Sequence, residues 1–259
     1  MPDPKLYSEL ASWFHLLTAP ADYAEGAAFY RKTLIEACAR LPRTVLELGS
    51  GGGNNASHMK AHFEMTLVDL SPEMLELSRT INPELEHIEG DMRTVRLGRE
   101  FDAVFVQDAV AYMTSETDLR AAMETAFVHC RPGGVALFAP DDLRETFRPA
   151  TSHGGHDGDG RSLRYLEWRW DPDPADTMYT VDFAYLLREA DGSVRVEQDR
   201  HLCGLFARDD WLRLLSDVGF APKALPFEHS EVEPGSELFV AVKPAASQAT
   251  SSKRTGKGP

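Results

Sequence analysis

The chain has 259 residues, 42% hydrophobic and 26% charged, which is the composition of a folded globular protein and the length of one full-sized domain with additions. Its formal net charge of -14 excludes nucleic acid or an anionic membrane as the main partner, because a phosphate surface is held by clustered Lys and Arg. Three widely spaced cysteines, Cys38, Cys130 and Cys203, read as free thiols of a reducing cytoplasm, and no zinc-type pairing is present, so no metal is expected.

The start, MPDPKLYSEL, is acidic and proline-broken, unlike a secretory leader, and no run approaches about 18 apolar residues. Residues 5–40 read as helices, with Leu6, Leu10, Trp13, Phe14 and Leu17 at helical spacing before Pro20, and Phe29, Leu34 and Ile35 after it. Residues 1–40 are therefore expected to form a helical lid. From residue 44 short apolar strands alternate with amphipathic helices, the pattern of parallel βαβ units. The strands are TVLELG, TLVDL, LEHIEG, DAVFVQ and VALFAP. Ser71-Pro72-Glu73 supplies a helix N-cap, a preset first turn and a carboxylate near the helix dipole. Ser115 with Asp118 opens a second helix, which stops at Arg131-Pro132-Gly133-Gly134.

After Pro140 the pattern changes. Ser152 to Gly160 reads as a glycine-rich loop. Leu166, Trp168 and Trp170, then Tyr179, Val181, Phe183, Tyr185 and Leu187, then Val194 and Val196 beyond an Asp191-Gly192 turn, predict a three-stranded antiparallel insert over 141–204. Asp209 opens a helix whose Trp211, Leu214, Leu215 and Val218 share a face and which stops at Gly219. Two strands, 223–227 and 237–242, complete a core expected over 41–140 and 205–244. Residues 245–259, with Lys253, Arg254 and Lys257 and no acid, read as a disordered tail.

The chemistry concentrates in VLELGSGGGNNASHMKAHFEMTLVD, from Val45 to Asp69. Gly49, Gly51, Gly52 and Gly53 strip the turn after the strand of side chains, so a ligand can approach the backbone and the positive end of the next helix. Asp69, ending the second strand, is placed to chelate two ribose hydroxyls. Gly51 to Ala56 also satisfies the GxGxxA form of the nicotinamide-dinucleotide fingerprint, so the segment alone fits two cofactors.

Glu47 two residues before Gly49, Gly90-Asp91-Met92, Phe101-Asp102-Ala103-Val104 and Arg131-Pro132-Gly133-Gly134 follow one another in an order that resembles the class I methyltransferases using S-adenosylmethionine. The resemblance implies an α/β, Rossmann-like seven-stranded sheet of order 3-2-1-4-5-7-6 with an antiparallel last strand. It places Gly49, Gly51 and Gly53 under the methionyl and ribose parts of S-adenosylmethionine, with Asp69 at the ribose hydroxyls and Leu70 among the cofactor-binding residues. Asp91 falls at the adenine amino group and Met92 on the ring. Glu47 orients the turn or the methionyl ammonium, and Gln107 and Asp108 face the methyl group and the acceptor. Gln107-Asp108-Ala109-Val110 departs from the N/D-P-P-Y/F tetrapeptide of enzymes that methylate adenine or glutamine amino groups.

The expected activity is methyl transfer to nitrogen or oxygen of a small molecule, with Asp108, His201 and His153 as candidate acid–base groups and Tyr112 near the same pocket. His153, His156 and Asp157 form a base, substrate contact, metal site or plain loop. Tyr7, Trp13 and Tyr23 pack in the lid or, for Tyr23, contact ligand. Trp168 and Trp170 form an apolar wall of the acceptor pocket or a buried cap core. The segment ending in Asp22-Tyr23, the insert and HLCGLFARDDWLRLLSDVGF resemble the layout of aminosugar N,N-dimethyltransferases. An NAD-dependent oxidoreductase and a non-catalytic cofactor-binding module are the alternatives. A cytoplasmic monomer or homodimer without nucleic-acid or membrane partners is expected.

Overall fold

A computed structural model describes residues 4–230 and 235–245, so the predicted tail from 246 onward lies outside the described residues. The N-terminal segment is not a regular helix. Lys5–Tyr7 and Ala11–Trp13 are single 3-10 turns, followed by a short α1 (Phe14–Leu17), a 3-10 turn at Pro20–Tyr23 and then α2 (Ala24–Ala37). Ser8, at φ -127° and ψ -102°, breaks the first stretch. Leu6, Leu10 and Trp13 are buried all the same, against Leu163, Tyr185 and Leu187 of the insert. The apolar spacing thus selected burial without a continuous helix. Ile35, expected on the buried side of α2, is 37% exposed, and the helix instead buries Gly26, Ala27, Tyr30, Thr33 and Leu34.

The main sheet is built from β1 (Thr44–Leu48), α3 (Asn54–Met59), β2 (Glu64–Asp69), α4 (Pro72–Ile81), β3 (Glu86–Glu89), β4 (Phe101–Gln107), α5 (Glu116–His129) and β5 (Cys130–Ala139). Strands β1 and β4 are covered on both faces, which explains their nearly unbroken apolar runs. Ser71 and Ser115 cap α4 and α5, accepting from Met74 N at 3.0 Å and Asp118 N at 3.1 Å. Gly134 lies so close to Asp102 that a Cβ would stand 2.5 Å from its carbonyl oxygen, beside the register shift between β4 and β5.

The insert is larger than three strands. It comprises β6 (Ala150–Gly154), β7 (Asp157–Gly158), β8 (Arg161–Trp170), β9 (Met178–Arg188) and β10 (Val194–Gly204), in the order β10-β9-β8-β6 with β7 also paired to β8. The segment read as a loop is therefore two edge strands, with His153 opposite Leu166 and Asp157 opposite Ser162. Its side chains show no alternation because backbone pairing, not a buried face, holds it there. Gly155, at φ +116° and packed on the Leu163 carbonyl, makes the turn between the two.

The chain then forms α6 (Arg208–Val218), stopped by Gly219 at φ +116°, and the antiparallel pair β11 (Ala221–Pro226) and β12 (Glu237–Val242). Strand β12 runs antiparallel to β5, with Val242 opposite Val135. The order β3-β2-β1-β4-β5-β12-β11 is the 3-2-1-4-5-7-6 arrangement expected from the sequence. One apolar core, with Met123, Trp211 and Phe239, fills the α5–α6 face. A second, with Tyr30, Met59 and Phe105, fills the α2–α3 face. Both sheets and the N-terminal turns meet above the carboxyl ends of β1, β2, β4 and β5.

Candidate active site

A cavity of about 1750 Å³ opens at these strand ends. Pockets for a single drug-sized ligand run to roughly 300–1,000 Å³, so this one has room for two molecules side by side.

One half of it is the glycine turn. Gly49 has φ +73°, and a Cβ there would overlap Ala109 and stand 2.8 Å from Met92 Cε. At Gly53, the N-cap of α3 at φ +78°, a Cβ would overlap Ser78 and Asn82. Gly51, at φ +52°, donates its N–H to Asp69 at 2.7 Å, and Ser71 N–H reaches the other Asp69 oxygen at 2.9 Å. Burial raises the Asp69 carboxyl, against the pull of those amides, and each oxygen keeps a lone pair. Glu47 is 3% exposed and its Oε2 has no partner. Burial, helped by the nearby Asp69 charge, pushes its pKa up to about 8. An orphaned carboxylate oxygen in a cradle of bare backbone fits a cationic ligand group such as a methionyl ammonium.

Asp91 and Met92 line the cavity as expected, but both Asp91 oxygens are engaged by Arg93, whose Nη2 approaches to 2.6 Å. The hydrogen bonds from Arg93 hold the Asp91 carboxyl below its usual range. Arg93 also reaches Asp118 at 3.0 Å. Leu70 stands 64% exposed on the rim. Tyr23 lines the wall, its hydroxyl raised by burial and steadied by Thr18 and Asn54.

The other half lies under the insert. Gln107 accepts from Asn55 Nδ2 at 2.9 Å. Asp108 adopts φ 46° and ψ -55°, a conformation few non-glycine residues tolerate, held by Asp108 N to Ala139 O at 3.1 Å and Ala111 N to Asp108 O at 2.7 Å. Its side chain is hydrogen-bonded to Asp141, which the sequence reading missed. Asp141 opens onto the cavity interior, yet enclosing protein desolvates both groups and raises both carboxyls, Asp141 further because Asp108 is beside it. Two like charges so placed disfavour the doubly ionised pair. The available clue was Asp141-Asp142 directly after the fifth strand, next to the fourth-strand tip in this topology. Asp142 pairs with Arg169 at 2.9 Å, and Arg169 with Glu167 at 3.4 Å.

His201, on β10, is 3% exposed and joins a chain of hydrogen bonds. Its Nε2 lies 3.1 Å from Asp199 Oδ2, its Nδ1 lies 2.7 Å from the Tyr112 hydroxyl, and Tyr112 lies 2.7 Å from the Tyr7 hydroxyl. Burial keeps both tyrosines protonated. Burial would raise Asp199, but His201 and the Leu6 N–H outweigh it and hold the carboxyl below its usual range.

Other expected residues fall elsewhere. His153 is exposed on β6 and forms no part of the cavity wall, which removes it from the acid–base candidates. His156 reaches Asp22 at 2.9 Å and Asp157 reaches Arg164 at 3.1 Å, so the three do not converge. Among the described residues no group of three or more His, Cys, Asp or Glu is placed to hold a metal. Trp168 and Trp170 neither wall the acceptor pocket nor form a cap core: they stack on the outer face of the insert, with Trp168 51% exposed. Strand parity instead turns Tyr165, Glu167 and Arg169 inward. Trp13 packs under the insert, with the Arg161 guanidinium 4.6 Å from its ring centre.

A seven-stranded sheet of this order, a glycine turn braced by a strand-end aspartate and a roofed two-part cavity define a class I methyltransferase dependent on S-adenosylmethionine. The comparisons agree. The family described as methyltransferase domain matches residues 45–134. A dTDP-3-amino-3,4,6-trideoxy-alpha-D-glucopyranose N,N-dimethyltransferase of Streptomyces venezuelae is 30% identical over 77% of this chain and 82% of its own. A dTDP-3-amino-3,6-dideoxy-alpha-D-glucopyranose N,N-dimethyltransferase of Streptomyces fradiae is 25% identical over 71% and 72%. The crystal structure of Streptomyces venezuelae DesVI superposes with a TM-score of 0.80 at 26% identity, over 92% of this chain and 98% of that one. The sugar N-methyltransferase KedS8 from Streptoalloteichus gives 0.75 at 27%, over 86% and 88%. The chain belongs to the S-adenosylmethionine-dependent methyltransferases, is an enzyme, and takes S-adenosylmethionine as its cofactor. That closes the nicotinamide alternative left open by the GxGxxA match.

Proposed function

We propose that this enzyme methylates an amino nitrogen of a small natural-product acceptor. The observation that carries the reading is the Asp108–Asp141 pair, which sets two adjacent carboxyls, both raised by burial, in the half of the cavity left for the acceptor. Bound S-adenosylmethionine supplies an electrophilic methyl group on a sulfonium. The protein must then hold the acceptor in line, roughly 3–3.5 Å from that carbon, and free its lone pair.

On the cofactor side, Gly49, Gly51 and Gly53 admit the ligand to the backbone, and Asp69 offers its remaining lone pairs to the ribose. Glu47 takes the methionyl ammonium, whose charge would draw it into the ionised state. Asp91, Met92 and Leu70 border the adenine side, and Tyr23 and Gln107 close the wall towards the acceptor. On the acceptor side, Asp108 binds an ammonium and accepts its proton as the nitrogen becomes the nucleophile. A carboxylate raised by its surroundings is a better base for this than an ordinary one.

A second reading has its own observation. Asp199, His201 and Tyr112 form a carboxylate–imidazole–hydroxyl series in the cavity wall, a base suited to a hydroxyl acceptor. The free thiols of Cys38, Cys130 and Cys203 support a reducing, cytoplasmic setting.

The test is transfer of labelled methyl to a panel of amine-bearing and hydroxyl-only acceptors. Label on nitrogen is expected, with Asp108→Asn lowering kcat/KM by about 100-fold or more while the cofactor Kd stays within about twofold. Label confined to oxygen, lost in His201→Asn but not in Asp108→Asn, would contradict the amine reading in favour of the second.

A further inference from the structure

We infer that the acceptor is a cationic small molecule carrying no phosphate, so that this enzyme takes a free amine where its relatives are named for nucleotide-linked sugars. The inference rests on the amine reading above and adds the class of molecule that bears the nitrogen.

The cavity wall supplies the argument. Among the described residues it carries eleven Asp and Glu against three Arg, three His and no Lys. Two of the arginines are paired with carboxylates, and the third is turned onto neutral carbonyls. Arg93 is held by Asp91 and Asp118 on the cofactor side. Arg169 lies between Asp142 at 2.9 Å and Glu167 at 3.4 Å, leaving a net negative group on the inner face of the insert. Arg148, exposed at the mouth, turns Nη1 onto the carbonyls of Phe147 and Glu145.

A diphosphate is recognised by bidentate arginine, by lysine or by the bare amides of a helix N-terminus. At the start of α6 the first amide, Arg208 N, is already capped by both Glu145 carboxylate oxygens at 3.1 Å. The Arg208 side chain is turned onto Glu237 at 2.8 Å. Glu145 and Glu237 themselves line the cavity. A diphosphate entering here would meet carboxylates around Arg93, Arg169 and the start of α6, and like charges in an enclosed site repel strongly. An ammonium meets the opposite situation. Asp108 and Asp141 stand at the strand tips, Glu167 on the insert, and the faces of Tyr179 and Phe183 line the space between, suited to a cation or a sugar ring.

The experiment compares one amino sugar in two forms, its methyl glycoside and its dTDP conjugate, as acceptors for labelled S-adenosylmethionine. Calorimetry of dTDP with the cofactor-loaded enzyme supplies a second readout. The methyl glycoside should be methylated with kcat/KM higher by about tenfold or more, and dTDP should show no binding at millimolar concentration. Glu167→Gln should raise KM for the methyl glycoside several-fold without moving the cofactor Kd. Preference for the dTDP conjugate, equal use of both, or micromolar dTDP binding overturns the inference and leaves N-methylation standing. If neither form binds or accepts label while a hydroxyl-only acceptor does, the amine reading fails and takes the inference with it.

Discussion

At the scale of single residues, Glu47 makes stability depend on pH. A carboxyl whose folded pKa is raised from 4.5 to about 8 favours the folded state while protonated. That contribution is complete below the unfolded value of 4.5 and is lost as pH rises through about 8. The ligand-free protein should therefore lose thermal stability as pH rises across that window. Glu47→Gln should flatten the loss, raising Tm at pH 8 and above relative to wild type, and should weaken S-adenosylmethionine binding. A variant with the wild-type pH profile and wild-type affinity would remove Glu47 from the ammonium site. Asp69 makes a separate prediction. Asp69→Ala deletes the brace on Gly51 and, on the proposed reading, the ribose acceptor, so cofactor affinity should fall by about tenfold to 100-fold. Circular dichroism should show the fold retained, and unchanged affinity would relocate the ribose.

At the scale of elements, the N-terminal turns are a strap across the cavity. Leu6 N–H and Asp199 are 2.9 Å apart, Tyr7 and Tyr112 join hydroxyl to hydroxyl, Ser71 Oγ donates to the Tyr7 carbonyl, and His15 contacts the Gly52 carbonyl. Phe14 packs so near Gly52 that a Cβ there would stand 2.8 Å from its ring. Loss of one such bond costs about 0.5–1.5 kcal/mol, so Tyr7→Phe should make the strap open roughly 2- to 10-fold more often. Hydrogen exchange over residues 4–10 should quicken by that factor, with faster cofactor release, and unchanged exchange would show that the hydroxyl pair does not hold the strap.

The same elements show what the sequence made legible. The parallel strands were readable because burial on both faces leaves unbroken apolar runs, and the helix starts because Ser71 and Ser115 carry their own capping chemistry. The edge strands at Ala150–Gly154 and Asp157–Gly158 were not, since backbone pairing leaves no side-chain pattern. The outward turn of Trp168 and Trp170 was hidden for a related reason. Both faces of β8 carry large side chains, and only the position of the sheet over the cavity decides which face is inner. Asp141 was missed because a carboxylate after a strand is common, and its meaning depends on Asp108 arriving beside it from another strand.

At the scale of the whole molecule, the proposed reading has the glycine turn and Asp69 fix where the methyl donor lies, while the insert and the tips of β4 and β5 decide what receives it. The family relationship accounts for the first half. The acidic lining and the Asp108–Asp141 pair lie in the second half, and on the proposed reading they make nitrogen the atom to watch. The direct measurement is magnetic resonance of the product formed with S-adenosylmethionine carrying an isotopically labelled methyl group, using an acceptor that offers both an amine and a hydroxyl. The account predicts a single labelled signal in the N-methyl region, abolished in Asp108→Asn. A signal in the O-methyl region that survives Asp108→Asn would contradict it.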